Sequence, residues 1–401
     1  MRIGIAVLIA TYALSQFYRM FLSVLAPELA VEIGASGSDI AQATGLWFLT
    51  FAAVQVPIGI SLERWGPRRT VAAMLGIGGA GGGLLVALAQ TPLQLKLAMA
   101  LIGAGCAPVM LASVYIFARA FPPAAFASLS GMVIGIGGLG NIAGTAPFAA
   151  MVAVLGWRPS MMLLAGVTLL AAVLVAALVR DPPPPDRTAA GGGRGGSLWP
   201  LWPVFLLLFV GYAPSAGLSG GWGGPYFADV FGADAQGIGH ALLVMSMAMI
   251  SGSLSVGLVE RLAGSAARAA VATTVLGIAA LLGLWLLPGR GWWSSTLLLA
   301  AAGFFGANFP LILAHGRSLL APGQLARGIS LMNLSSIGGV GVLQLVSGPV
   351  WHLAGGETGG AGAYGSLFAF FALTQIIGLA AFVARGGGHA PRSRPAQTVS
   401  R

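Results

Sequence analysis

The sequence predicts an all-α membrane protein of twelve transmembrane helices, arranged as two pseudo-symmetric six-helix bundles. Three observations carry this. Of the 401 residues, 57% are hydrophobic and only 7% charged, whereas a soluble domain carries about 25% charged residues. The apolar residues fall into runs of roughly 20, the length that spans a bilayer core of about 30 Å. A single long polar break divides the runs six from six.

The runs cover residues 4–30, 40–61, 70–90, 94–118, 125–152, 159–179, 201–224, 238–259, 267–287, 294–316, 326–350 and 363–384. Turn residues and charges mark the seams, as at Gly34 to Asp39, Glu63 to Arg69 and Gly156-Trp157-Arg158. The 62 glycines are interleaved with Leu, Val, Phe and Trp, so they suit close helix packing and not low complexity. The break at 181–199 holds four prolines and a Gly-rich stretch, a composition suited to a flexible linker. The expected organisation is a first bundle over 1–180, the linker at 181–199, a second bundle over 200–386 and a disordered tail over 387–401.

The formal charge is +10. Basic residues stand singly between apolar runs, so they read as topology signals, and no nucleic-acid partner is expected. With the amino terminus inside, the inner set is Arg2, Arg64, Arg68, Arg69, Arg119, Arg180, Arg187, Arg194, Arg261, Arg268, Arg317, Arg327, Arg385, Arg392, Arg394 and Arg401. The outer set is Lys96, Arg158 and Arg290, and Arg19 lies within a run. This asymmetry places both termini in the cytoplasm of a bacterial inner membrane and requires an even number of spans. Arg2 leads into a run too long for a signal h-region, with no clear cleavage site. The lone Cys106 excludes an intrachain disulfide and a Cys-based zinc site. No nucleotide loop or catalytic constellation is present, so neither an enzyme nor a cofactor is expected.

The halves read as repeats offset by about 200 residues: Met132 matches Met332 and Gly138 matches Gly338. Parallel repeats of this kind build transporters that bind substrate near the midplane, between the halves.

The loop after the second span reads Gly59-Ile-Ser-Leu-Glu63-Arg64-Trp-Gly66-Pro-Arg68-Arg69, and a degenerate copy, Glu260-Arg261-Leu-Ala-Gly264, follows the eighth. This pattern resembles the cytoplasmic loop motif of the major facilitator superfamily. The resemblance implies alternating access and a loop that locks the halves through acid–base contacts; a solvated charged turn is the alternative.

Arg19 lies about 22 Å into the first span, past the midplane. A charge there faces a cavity or a partner, so Arg19 either contacts substrate or is bound structurally, by helix carbonyls or by Gln55. Tyr18, Gln16, Tyr212, Trp222 and Asn308 are candidate companions around a small organic solute, an anion or a flavin-like compound. No span carries Asp or Glu near its middle; a proton relay would have to use Glu28, His240 or His315.

Met245 and Met249 are four residues apart, as are Cys106 and Met110, so each pair shares a helix face. Such sulfurs suit Cu(I) or simple packing. The stretches Tyr18 to Pro27, Gly45-Leu46-Trp47-Phe48, Gly105 to Val109 and Tyr212-Ala213-Pro214, with Met245-x-x-x-Met249, resemble the CcoA-type bacterial copper importers. That resemblance implies copper uptake with Met245 and Met249 as metal ligands. The family's second pair, His-x-x-x-Met, has no counterpart here. Copper is the leading expected substrate, with the organic solute second and a non-transporting receptor or assembly factor third. A monomer in the lipid bilayer is expected.

Overall fold

A computed structural model describes residues 2–121, 123–182, 197–321, 324–358 and 360–385. Most of the expected linker and the tail from 386 onward lie outside the described residues.

Twelve passages follow one another. Ten are helices each long and apolar enough to cross a membrane: Pro67–Leu88, Pro92–Ala120, Gly135–Leu155 within a longer path from Pro123, Trp157–Leu178, Trp199–Phe231, Ala235–Ala263, Ala266–Leu286, Trp292–Ser318, Arg327–Leu353 and Ala361–Ala384. These are spans 3 to 12. Span 2 is the pair Gly37–Ala53 and Gln55–Arg64, bent by 43°. Span 1 is broken into Arg2–Phe17, Phe21–Val24 and Ala26–Ile33. The single runs 4–30 and 40–61 are thus corrected to interrupted helices. Pro57 explains the second break: it has no N–H to return to the carbonyl of residue 53.

Interruptions recur inside the bundle. Span 4 breaks between Cys106 and Pro108, span 7 at Tyr212 before Pro214, and span 10 across Ala307-Asn308 before Pro310. Broken backbone at membrane depth persists only where protein or a cavity satisfies it. In span 7, side chains do that. Gln375 Nε2 donates to the Gly211 carbonyl at 2.9 Å, Gln344 Nε2 to Gly217 at 3.2 Å, and Thr44 Oγ1 to Gly220 at 3.0 Å.

The repeat is visible in the helix ends. Gly34 and Gly232 both terminate helices in the left-handed region, at φ 66° and 64°. Gly66 and Gly264, at φ 83° and 74°, turn the chain after spans 2 and 8. Each pair is 198 residues apart. A β-carbon is strained at such angles, so glycine recurs where the turn recurs.

The two halves pack most closely at one end, with span 5 still touching span 8 at Gly138 and Ile250. On the face away from the termini, span 2 packs along span 11: a β-carbon on Gly45 would lie 3.0 Å from Gln344, and one on Gly341 2.9 Å from Leu49. Span 1 crosses span 7 with Gly224 pressed against the Ser23 carbonyl, and Gly239 of span 8 sits on Ala146 and Ala149 of span 5. Toward the terminal face, span 2 bends away at Val54, leaving Val56 68% and Ile60 61% exposed. The molecule is therefore closed at its far face and open at the face that carries its termini.

Candidate functional site

Arg19 stands in the break of span 1, at the closed end of this opening. Its own carbonyl is covered by Gly220 of span 7. Its guanidinium carbon lies over three rings of span 2: Trp47 at 5.0 Å, Phe51 at 5.4 Å and Phe48 at 5.7 Å. Trp47 and Phe51 are one turn apart and stack with centroids 5.1 Å apart. The Tyr212 hydroxyl, at the break of span 7, accepts a hydrogen bond from the Arg19 side chain. Gln16 donates to the Tyr12 hydroxyl at 2.6 Å.

The electrostatics are one-sided. Among the described residues the ion pairs are Lys96–Asp39 at 2.7 Å, Arg158–Glu32 at 3.1 Å and His352–Glu357 at 3.3 Å. None involves Arg19. Arg19 Nε, Ser15 Oγ and Trp47 Nε1 are buried without a hydrogen-bond partner. All three can donate, and a buried donor without an acceptor costs about 1–3 kcal/mol. Among the described residues the site is a cation flanked by aromatic faces, hydrogen-bonded to the Tyr212 hydroxyl, with buried donors around it and no acid paired to it.

The remaining sequence candidates separate. Tyr18 turns into the first bundle, bonding Thr168 at 2.9 Å. Trp222 donates to Ser347 at 2.8 Å within the closed far side. Asn308 stands at the break of span 10 and donates to Thr274 at 3.0 Å and Thr273 at 3.3 Å. These three hold helices together. Cys106 is buried beside Ser15, within electrostatic reach of Arg19, and Met110 is half-buried one turn on. Met245 and Met249 face span 10 inside the second bundle, where a β-carbon on Gly303 would lie 3.1 and 2.9 Å from their Cγ atoms. Nothing described brings the two sulfur pairs together, and no group of three or more His, Cys, Asp or Glu is placed to hold a metal among the described residues.

The loop motif is exposed at the open face. Glu63, Arg64, Arg68 and Arg69 form no ion pair among the described residues. Span 3 starts instead on Asp181, whose carboxylate accepts the Arg68 N–H at 2.7 Å and fills the space a side chain at Gly66 would need. Gly59 lies on the last turns of span 2 with open space around it. Glu260 and Arg261 stand four and three residues before Gly264, one residue out of step with Glu63 and Arg64 before Gly66. In the second half Ser265, not a distant acid, caps the next helix, accepting the Arg268 N–H at 3.3 Å.

Sequence reasoning missed the aromatic wall of span 2 and the buried Ser15 hydroxyl and Trp47 N–H beside Arg19. The four-residue spacing of Trp47 and Phe51, beside a span carrying the only mid-membrane charge, was the available signal.

Solved structures share this architecture. A bacterial homologue of the human lysosomal transporter Spinster, inward-facing and unoccupied, is 18% identical, with 98% of each chain covered and a TM-score of 0.76. The occupied inward-facing form gives 0.72 at the same identity and coverage. The nucleoside transporter NupG is 15% identical over 96% of this chain and 99% of its own, with a TM-score of 0.73. At these identities the likeness is one of fold. No curated protein sequence matches the chain. Residues 8–344 match the Major Facilitator Superfamily. The chain therefore belongs to that superfamily, as a non-enzymatic, multi-pass membrane transporter.

Proposed function

We propose that the protein carries a small organic anion across the bacterial inner membrane by alternating access, in the direction of uptake. The observation that carries this reading is Arg19: a cation in a broken span, stacked on Trp47, Phe48 and Phe51, with buried donors and no acidic partner among the described residues. An anionic group satisfies the cation and the donors, and a flat or apolar body suits the aromatic wall. The sixteen basic residues of the inner set support a cytoplasmic terminal face, which makes the open state inward-facing. The first bundle then ends at 180 and the second begins at 200, joined by a cytoplasmic linker, in a protein acting as a monomer.

Copper uptake is the rival. Met245 and Met249 do share a helix face, but their side chains fill the space over Gly303. This favours packing over a metal path.

The test is binding. The purified protein is heated with a panel of organic carboxylates and phosphate esters, each beside its neutral amide or alcohol, with riboflavin among the neutral compounds. Stabilisation by acids alone, lost in Arg19→Gln, is expected. Stabilisation by neutral partners alone would remove the anion. Radioactive copper accumulation that depends on Met245 and Met249 would install the rival.

A further inference from the structure

An apolar groove of about 460 Å³ opens at the terminal end of spans 7 and 11. Trp199, Trp202 and Phe205 form one wall, Leu331 and Leu334 the other. Ser335 ties the walls together by donating to the Phe205 carbonyl at 2.8 Å. Both walls come from the second bundle. No residue of the first bundle lines the groove, and span 2 is bent by 43° between its Gly37–Ala53 half, which packs on span 11, and its Gln55–Arg64 half.

The surroundings say what fills it. Trp199 is 78% exposed in the short turn that enters span 7, at the depth where tryptophan meets the headgroup layer. Arg327 is one helical turn before Leu331, hence on the same face of span 11 and nearer the surface. Side chains lean toward their helix amino terminus, so Arg327 reaches toward headgroup level. It is exposed and pairs with no carboxylate among the described residues. An apolar slot with an exposed tryptophan and, one helical turn nearer the surface, a cation that pairs with no acid among the described residues matches the two-part chemistry of an anionic phospholipid.

We propose that this groove binds one acyl chain of an anionic phospholipid from the surrounding leaflet, with the lipid phosphate held by Arg327. The lipid occupies the gap between spans 2 and 11 that must shut when the terminal face closes. Val56 and Ile60 lie four residues apart, hence on one face of span 2, and both are exposed below its bend. A bound lipid therefore acts as a wedge that favours the open terminal face.

The groove carries its own reporters. Brominated acyl chains quench tryptophan on contact, and the Trp199→Phe, Trp202→Phe double variant keeps the aromatic walls while removing those two signals. The full chain is reconstituted in phosphatidylcholine vesicles containing increasing brominated phosphatidylglycerol or, in parallel, brominated phosphatidylcholine. The groove signal is the difference between the parent and the double variant. It should quench at about fivefold less phosphatidylglycerol than phosphatidylcholine, the preference one juxtamembrane arginine supplies. Arg327→Gln should bring the ratio to about one, and Arg327→Lys should retain most of it. Equal quenching by both lipids in the parent, or a preference that survives Arg327→Gln, would overturn the proposal. So would a groove signal that brominated lipid fails to quench.

Discussion

Spans 2 and 8 are the same helix written twice, and they do different things. Gly34 and Gly66 bracket one, Gly232 and Gly264 the other, at a constant spacing of 198 residues. Their first turns are capped alike: Ser36 accepts the Asp39 N–H at 3.2 Å and Asp234 accepts the Gly237 N–H at 2.8 Å. In that register Trp47 corresponds to Met245, Phe51 to Met249 and, on the neighbouring spans, Arg19 to Gly217. In the first half a pair of rings holds a cation. In the second a pair of thioethers fills the space over a glycine, and Gly217 leaves room for the Gln344 amide. The repeat preserves what backbone geometry demands, namely ends, caps and close approaches. It does not preserve the chemistry at the cavity. On the proposed anion reading, charge selection would belong to the first half.

The largest effect should come from removing that asymmetry. Arg19→Gln is expected to lower transport at least about 30-fold, since stranding one side of a buried charge contact costs about 2–5 kcal/mol. Melting of the unloaded protein should move little, because the guanidinium has no internal acid to strand. Arg19→Lys should recover only part of the activity: ammonium keeps the charge but loses the planar face over Trp47. Transport by Arg19→Gln at the parental rate would make the arginine structural and dissolve the comparison.

Next in size is a test of where the halves touch. Gly224 meets the Ser23 carbonyl across the two halves, whereas Gly140 meets the Ala13 carbonyl within the first. An added methyl costs about 1–3 kcal/mol where packing is tight. Gly224→Ala should therefore open the far face, and Gly140→Ala should lower the melting temperature with the far face still shut. The readout is maleimide labelling at Ala41→Cys in a Cys106→Ser background, because Ala41 is buried beside Gly221 in that seam. Equal labelling in both variants would show that the seam does not gate access.

Much of this was legible in the residues. Apolar runs and the polar break gave twelve passages, and the glycines and loop motifs gave the repeat. The helix breaks were half visible: Pro57, Pro108, Pro214 and Pro310 stood in the sequence, but a hydropathy run does not register a missing hydrogen bond. The site was less legible. Arg19 stood out because charge at that depth is costly, yet its ring partners on span 2 look like any other membrane aromatics. Tyr18, Trp222 and Asn308 fit by type; only packing reveals that the Tyr18 hydroxyl, the Trp222 N–H and the Asn308 amide nitrogen are already engaged by Thr168, Ser347, Thr273 and Thr274. In sequence Asp181 reads as the start of a linker, because nothing local to it indicates that it closes the turn at Gly66, 115 positions earlier.

That carboxylate separates the two loop motifs and gives the third prediction. Span 3 borrows its cap from the end of span 6, while span 9 uses its own Ser265. Asp181→Ala should cost about 1 kcal/mol, the usual value of such a cap, and Ser265→Ala a similar amount. The two should differ in reach. Losing Asp181 frees the end of span 6 as well as the start of span 3, so hydrogen exchange should rise at both; losing Ser265 should raise it at span 9 alone. Protection unchanged near residues 175–180 in Asp181→Ala would mean the cap is local.

The smallest expected effect is the most discriminating between substrates. The double change Met245→Leu, Met249→Leu roughly conserves volume, and such swaps usually cost under about 1.5 kcal/mol in stability. If the pair only fills the space over Gly303, anion transport should stay at the parental level and melting should shift slightly. The equivalent change in the first half, Phe51→Leu, removes a ring from beneath Arg19. It should weaken anion binding by up to about tenfold, since each cation–π contact is worth about 0.5–2 kcal/mol. Two substitutions at the same place in the repeat would then differ in outcome for one reason: only one of them faces a charge. The methionine variant also isolates sulfur, because leucine keeps the hydrocarbon and discards the thioether. A loss of radioactive copper uptake in that variant, with anion binding unchanged, would show that the second half has a cavity chemistry of its own and that the asymmetry runs between two cargoes. Unchanged behaviour on both counts leaves Met245 and Met249 as the packing half of a repeat whose other half kept the binding site.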